Sequence, residues 1–157
     1  TSETARLAAQ MGCIACPTLI TYDKLKSEGA SMGLPPASIA KVDDVRLRGL
    51  ESLTIMQDAG LPMAYGSDLL GGMQPHQSGE FELRGQVLSP LTVIRSTTVI
   101  AAELLRMEGL IGTLQPGAFA DLILLERNPL EDLSIFSGQG EGIKTIVKNA
   151  SIVKHLS

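Results

Sequence analysis

Along the first eleven residues the apolar positions Ala5, Leu7, Ala8 and Met11 recur at helical spacing. Thr1 or Ser2 can cap that helix and Gly12 supplies its stop signal. An apolar run from Cys13 to Ile20 follows without polar alternation and predicts a buried strand. Residues Thr21 to Pro36 are rich in Gly, Ser, Pro and charge, which predicts a long loop, a candidate lid or rim segment. A second helix begins around Ser38, with Val42, Val45, Gly49, Leu53 and Met56 tracing one face. Gly60 ends it, and Pro62 opens a short strand that finishes on Gly66, Ser67 and Asp68. Strand, helix, strand over this distance is a βαβ unit, which makes parallel strands through a right-handed crossover. Both strands then end at one rim, with Thr18, Thr21 and Tyr22 beside Ser67 and Asp68.

Beyond Asp68 the pattern is broken by turns. Gly71 to Gly79 reads as a loop containing His76, and Glu80 to Val87 as a short helix. Ser89 and Pro90 form a helix start, cap followed by proline at the first helical position. That helix runs through Val93, Ile94, Val99, Ala102 and Leu105 toward Gly109, with a break expected at Thr97 and Thr98, whose hydroxyls compete for backbone carbonyls. After Gly109 the elements become short and extended. Ile111 to Gly117 is a turn sequence, Ala120 to Leu125 a strand, Asn128-Pro129 a turn, and Ile143–Lys148 with Ser151–Lys154 a hairpin bent at Asn149-Ala150. The division this predicts is an α/β layer over 1–109 and a small β module over 110–157.

Composition narrows the partners. No apolar run approaches the roughly 20 residues that span a bilayer. The net charge of −4, with no basic stripe, argues against nucleic acid and anionic membranes and leaves a small molecule or a protein, a second copy included. The N-terminal stretch reads as an amphipathic helix and not as a signal peptide. Cys13 and Cys16 form a C-x-x-C on the first strand rather than at a helix start, so they read as core thiols in preference to a redox or metal pair. Two unpaired cysteines suit a reducing cytoplasm.

The candidate chemistry centres on Asp68. An acid where a buried strand stops pairing faces the shared mouth in parallel α/β architectures, although an acid there can equally cap a helix or hold a turn. Gly66 and Gly71 beside it permit close backbone approach. His76 reads either as a solvated loop histidine or as a substrate contact or metal ligand, and Tyr22 either as a substrate-binding hydroxyl or as an amphipathic cover for the rim. His155, near the C-terminus, reads as incidental. There is no His-x-His, no His-Glu-x-x-His, no phosphate-cradling glycine loop and no G-x-S-x-G.

Pro17-Thr-Leu-Ile-Thr-Tyr-Asp23, Ala64-Tyr-Gly-Ser-Asp68, Ser89-Pro-Leu-Thr with Ala101-Ala-Glu-Leu-Leu, Gly112-Thr-Leu-Gln-Pro-Gly-Ala-Phe-Ala-Asp-Leu-Ile-Leu-Leu125 and Asn128-Pro-Leu-Glu-Asp-Leu133 occur in this order. Taken together they resemble the C-terminal third of the amidohydrolase superfamily, in particular its imidazolonepropionase-related, Xaa-Pro dipeptidase-like branch. The resemblance implies an α/β fold, the last strands and helices of a (β/α)8 barrel with part of a small β-sandwich. It implies a hydrolase of C–N bonds acting on a small-molecule or peptide substrate through a metal-activated water. Asp68 would be the ligand of a divalent metal, zinc in most of the family, and the proton shuttle. Tyr22, Ser67 and His76 would be rim residues near the substrate. The family's other ligands, a His-x-His, a mid-barrel lysine or glutamate and two further histidines, are expected upstream of Thr1. The chain then reads as a fragment, inactive by itself, whose main partner is the missing N-terminal part. The rival reading is a non-catalytic α/β module that binds a partner through its open edges.

Overall fold

Thr1 caps the first helix as its sequence predicts: its hydroxyl accepts the Thr4 N–H at 3.3 Å, and α1 spans Ser2–Gln10. In this computed structural model, which describes residues 1–156, Gly12 follows α1 at φ +70° and turns the chain into the first extended segment. Ala15 and Met63 bridge in parallel. The Ala15 N–H donates to Pro62 O at 2.9 Å and the Ala64 N–H to Ala15 O at 2.8 Å. These are the two parallel strand tips of the expected βαβ unit, much shorter than the apolar runs suggest.

The first strand does not extend to Ile20, and the expected loop over Thr21 to Pro36 is not one. Helix α2 occupies Leu19–Glu28. Pro17 lacks the N–H that a continuing ladder needs, so the extended segment stops there. Leu19, Ile20 and Thr21 are then buried on the first turn of α2, while the residues that made this stretch look loop-like lie on and after its outer turns. Only residues 29–35 separate α2 from the next helix, which leaves no long lid. Cys13 and Cys16 are both exposed free thiols, not core residues, because so few residues here are paired into a sheet.

Helix α3 runs over Pro36–Asp58, with Pro36 at the permissive first position. Val42 and Leu53 of the expected face are buried, Gly49 lies against Leu19, and Val45 is exposed. After a 3-10 turn at Gly71–His76 come α4 (Gly79–Gly85), α5 (Pro90–Thr97) and α6 (Val99–Leu104). The break between the last two falls where the sequence predicts it. Thr97 and Thr98 both donate their hydroxyls to Ile94 O at 2.8 Å, and Thr98 leaves helical geometry at φ −119°, ψ −96°.

The C-terminal part holds a three-stranded antiparallel sheet in the order β1 (Leu122–Leu125), β2 (Ile143–Lys148), β3 (Ser151–His155). Leu122 faces Val147, and Thr145 faces His155, whose Nδ1 lies 2.9 Å from the threonine hydroxyl. The hairpin bend has Asn149 at φ 49° and Ala150 at φ 63°, the two left-handed residues of a type I′ turn. Asparagine tolerates that conformation; alanine does not, at a cost of roughly 1–2 kcal/mol. Ala150→Gly is therefore expected to raise stability by about 0.5–1 kcal/mol, since glycine's greater unfolded-state freedom offsets part of the relief. A higher urea midpoint at constant slope would show it; an unchanged or lower midpoint would refute it.

Leu19, Ile20, Leu53, Met63, Leu69, Met73, Leu83, Leu88 and Val93 form the core, and a 3-10 turn at Leu133–Phe136 inserts Leu133, Ile135 and Phe136 into the same cluster. Phe136 stacks on Phe81 of α4 with centroids 4.2 Å apart. The fold is α/β, as the resemblance implies.

Candidate functional site

The rim is built around an ion pair with no solvent exposure. Glu80 and Arg84, one turn apart on α4, are both fully buried, with Arg84 Nε donating to Glu80 Oε1 at 2.8 Å. The guanidinium also reaches both strand tips: its Nη2 donates to Pro17 O at 2.6 Å and to Ala64 O at 3.0 Å. Its Nη1 donates to the Ser96 hydroxyl at 3.3 Å at the end of α5. A planar fork of donors suits such divergent carbonyls in a way that an ammonium does not. The second carboxylate oxygen of Glu80 accepts the Ile20 N–H at 2.7 Å, satisfying one of the orphan donors at the start of α2. Burial pushes the Glu80 carboxyl above its ordinary range, opposed by Arg84 and by the backbone N–H groups of Ile20 and Leu19. Tyr65 covers the pair, its ring centroid 5.1 Å from the guanidinium carbon and its hydroxyl donating to Gln77 O at 2.6 Å. Burial, with the nearby Glu80 charge second, pushes this phenol well above its usual range.

Asp68 follows the second tip. Its side chain is exposed, its φ is +49°, and its carbonyl accepts the Thr21 hydroxyl at 2.8 Å. The strand-end segments approach closely: a Cβ on Gly66 would lie 2.6 Å from Cys16 Sγ and 3.1 Å from Thr18 Cγ2. Thr18 and Thr21 thus sit at the mouth beside Gly66 and Asp68. Ser67 is half-buried between them. Tyr22 lies on α2 instead of at a strand end, and lines a groove with Cys16, Thr18, Val45, Ser52 and Met56. His76 is held at 3.0 Å by Glu28, and lines a separate cleft of about 350 Å³ with Asp23, Lys24, Glu82 and Ser137. Neither Asp68, Ser67 nor Tyr22 lines that cleft.

The ion pair that organises the rim leaves little mark on the sequence pattern. Glu80 and Arg84 have the (i, i+4) spacing of an ordinary exposed helix pair, on a helix whose only apolar residues are Phe81 and Leu83, so nothing in the local pattern marks them as buried.

Among the described residues no three His, Cys, Asp or Glu side chains come together as a metal-binding group. Asp68 can offer one carboxylate, and a catalytic ion needs about three protein donors with an open position. The residues present therefore do not hold the implied metal by themselves.

The amidohydrolase family matches over residues 2–152, and the chain belongs to that family. Among characterised relatives, ochratoxinase from Aspergillus niger is 31% identical over 105 residues, 66% of this chain and 22% of the relative. A prolidase solved in complex with N-methylphosphonate-L-proline is 43% identical, with a TM-score of 0.93 over 99% of this chain and 38% of its own. A second solved amidohydrolase is 46% identical, with a TM-score of 0.94 over the same shares. The chain thus spans less than two-fifths of these structures, and its (β/α) elements are those of their barrels. Among the described residues no helix is long and apolar enough to cross a membrane.

Proposed function

We propose that the chain supplies the closing part of a hydrolase that cleaves C–N bonds in dipeptides or N-acyl amino acids, and that Asp68 is its acid–base carboxylate. The observation that carries this reading is the exposed Asp68 side chain, at the end of a parallel strand tip, on a backbone fixed from two sides. A carboxylate in that place can accept a proton from an attacking water and return it to the leaving nitrogen, so that the amine departs neutral. The likeness to a prolidase at 43% identity favours a peptide bond as the target. Asp68 would also be one donor to a divalent ion, zinc by family habit, whose remaining ligands this chain does not contain. When bound, that ion would make water nucleophilic at neutral pH. Ser67 and Tyr22 would stand near the substrate. His76, in its separate cleft and paired with Glu28, has the weakest case for that role. Residues 1–109 would belong to the barrel and 110–157 to the β-sandwich. The exposed thiols of Cys13 and Cys16 are in keeping with a reducing compartment such as the cytoplasm.

The complete gene product should hydrolyse members of a panel of Xaa-Pro dipeptides and N-acyl amino acids. Chelation should abolish that turnover, and one added divalent cation should restore it. Absence of hydrolysis across the panel, in folded and metal-supplemented protein, would reject the reading.

A further inference from the structure

Two chains of contacts, both starting from the Glu80–Arg84 pair, converge on the Asp68 backbone. On one side, Arg84 fixes Ala64 O, four residues before Asp68, and Pro17 O on the neighbouring tip. On the other, Glu80 receives the Ile20 N–H, and the next residue, Thr21, donates its hydroxyl to Asp68 O. Thr21 is itself buried, at 7% exposure, in the first turn of α2. A non-glycine residue at φ +49° adopts a sparsely populated conformation that persists only where its surroundings over-determine it. Such strain concentrates where a side chain must be aimed. The Thr21 bond is the only one of these contacts made to Asp68 itself, and it involves the main chain, so it leaves the carboxylate unencumbered.

We propose that Thr21 is a positioning residue for Asp68, and that the buried Glu80–Arg84 pair acts through it by fixing the first turn of α2 against both strand tips. The inference rests on the acid–base reading of Asp68 and adds the device that aims it. The hydroxyl touches neither substrate nor reacting atoms. It favours the left-handed backbone that Asp68 adopts, and with it the direction in which the carboxylate leaves the strand tip.

The test uses Thr21→Val, Thr21→Ser and Asp68→Asn in the complete enzyme, read by steady-state kinetics and by amide exchange over residues 66–70. Valine keeps the volume and removes the donor; serine keeps the donor. Thr21→Val should lower kcat about ten- to a hundredfold with KM nearly constant, the scale on which misplacement of a reacting group acts. It should also speed exchange over residues 66–70 while distant helices retain their protection. Thr21→Ser should restore most of the kcat and the protection, which a merely space-filling role would not do. Normal kcat in Thr21→Val, beside an inactive Asp68→Asn, would overturn the positioning role alone. So would a Thr21→Ser variant as impaired as Thr21→Val. Full turnover in Asp68→Asn would instead remove the acid–base reading and the positioning role with it.

Discussion

Replacing Arg84 with methionine is expected to destabilise the protein by about 3–5 kcal/mol, the usual cost of stranding one member of a buried ion pair. The guanidinium satisfies four acceptors: the Glu80 carboxylate, Ser96 Oγ, Pro17 O and Ala64 O. Methionine fills much of the space and donates to none of them. The loss should depend on pH, and its sign follows from Glu80. With Arg84 gone, the largest influence opposing burial disappears and the carboxyl's folded-state pKa rises further above its ordinary value near 4.5. A carboxyl raised in the folded state binds more protons folded than unfolded, so stability falls as pH climbs from that value toward the folded one. The deficit of Arg84→Met relative to the natural protein should thus be smallest near pH 4 and deepen toward neutrality. Adding Glu80→Leu should recover part of the loss, because an apolar pair of similar volume leaves no buried charge, though the carbonyls of Pro17 and Ala64 stay without their donor. Chemical denaturation of the three proteins at two pH values decides the matter. A pH-independent deficit would show that Glu80 is not held ionised by Arg84.

Legibility in the sequence followed the range of the interactions. The caps at Thr1 and Ser89, the break at Thr97 and Thr98 and the Asn149-Ala150 hairpin are set by residues within four positions of one another, so local chemistry finds them. Helix α2 escaped because its first turn is completed by Glu80, sixty residues downstream. Without that distant acceptor, Cys13 to Ile20 has the composition of a strand. The exposed cysteines have the same origin, since a strand tip bridged only at Ala15 gives Cys13 and Cys16 no sheet in which to bury. Asp68 stood out by position and by the motif around it. Its anchor did not, because a backbone carbonyl accepting a threonine hydroxyl 47 residues away leaves no mark on local pattern. Periodicity reports which residues face a core, but it does not report which buried polar groups must meet there.

Asp68→Asn is expected to lower kcat of the complete enzyme by about 10²–10⁴-fold, the range that a positioned acid–base group contributes. Asparagine is the informative substitution here. It matches the carboxylate in shape, tolerates the left-handed backbone at φ +49°, and leaves the bond from Thr21 to the main-chain carbonyl in place. Alanine would conflate loss of the acid with backbone relaxation, since it resists that conformation. The amide cannot accept a proton at neutral pH, so a proton from attacking water would have no local acceptor and the leaving amine no local donor. Because the group acts in the transition state, KM should change little while kcat and kcat/KM fall together. The thermal midpoint should stay close to that of the natural protein, because the side chain is exposed and its structural bond is made by the backbone. Turnover within about twofold of the natural enzyme would place the acid–base group elsewhere. A large fall in midpoint would instead make Asp68 a residue of the fold, leaving the strand tips with no chemistry of their own.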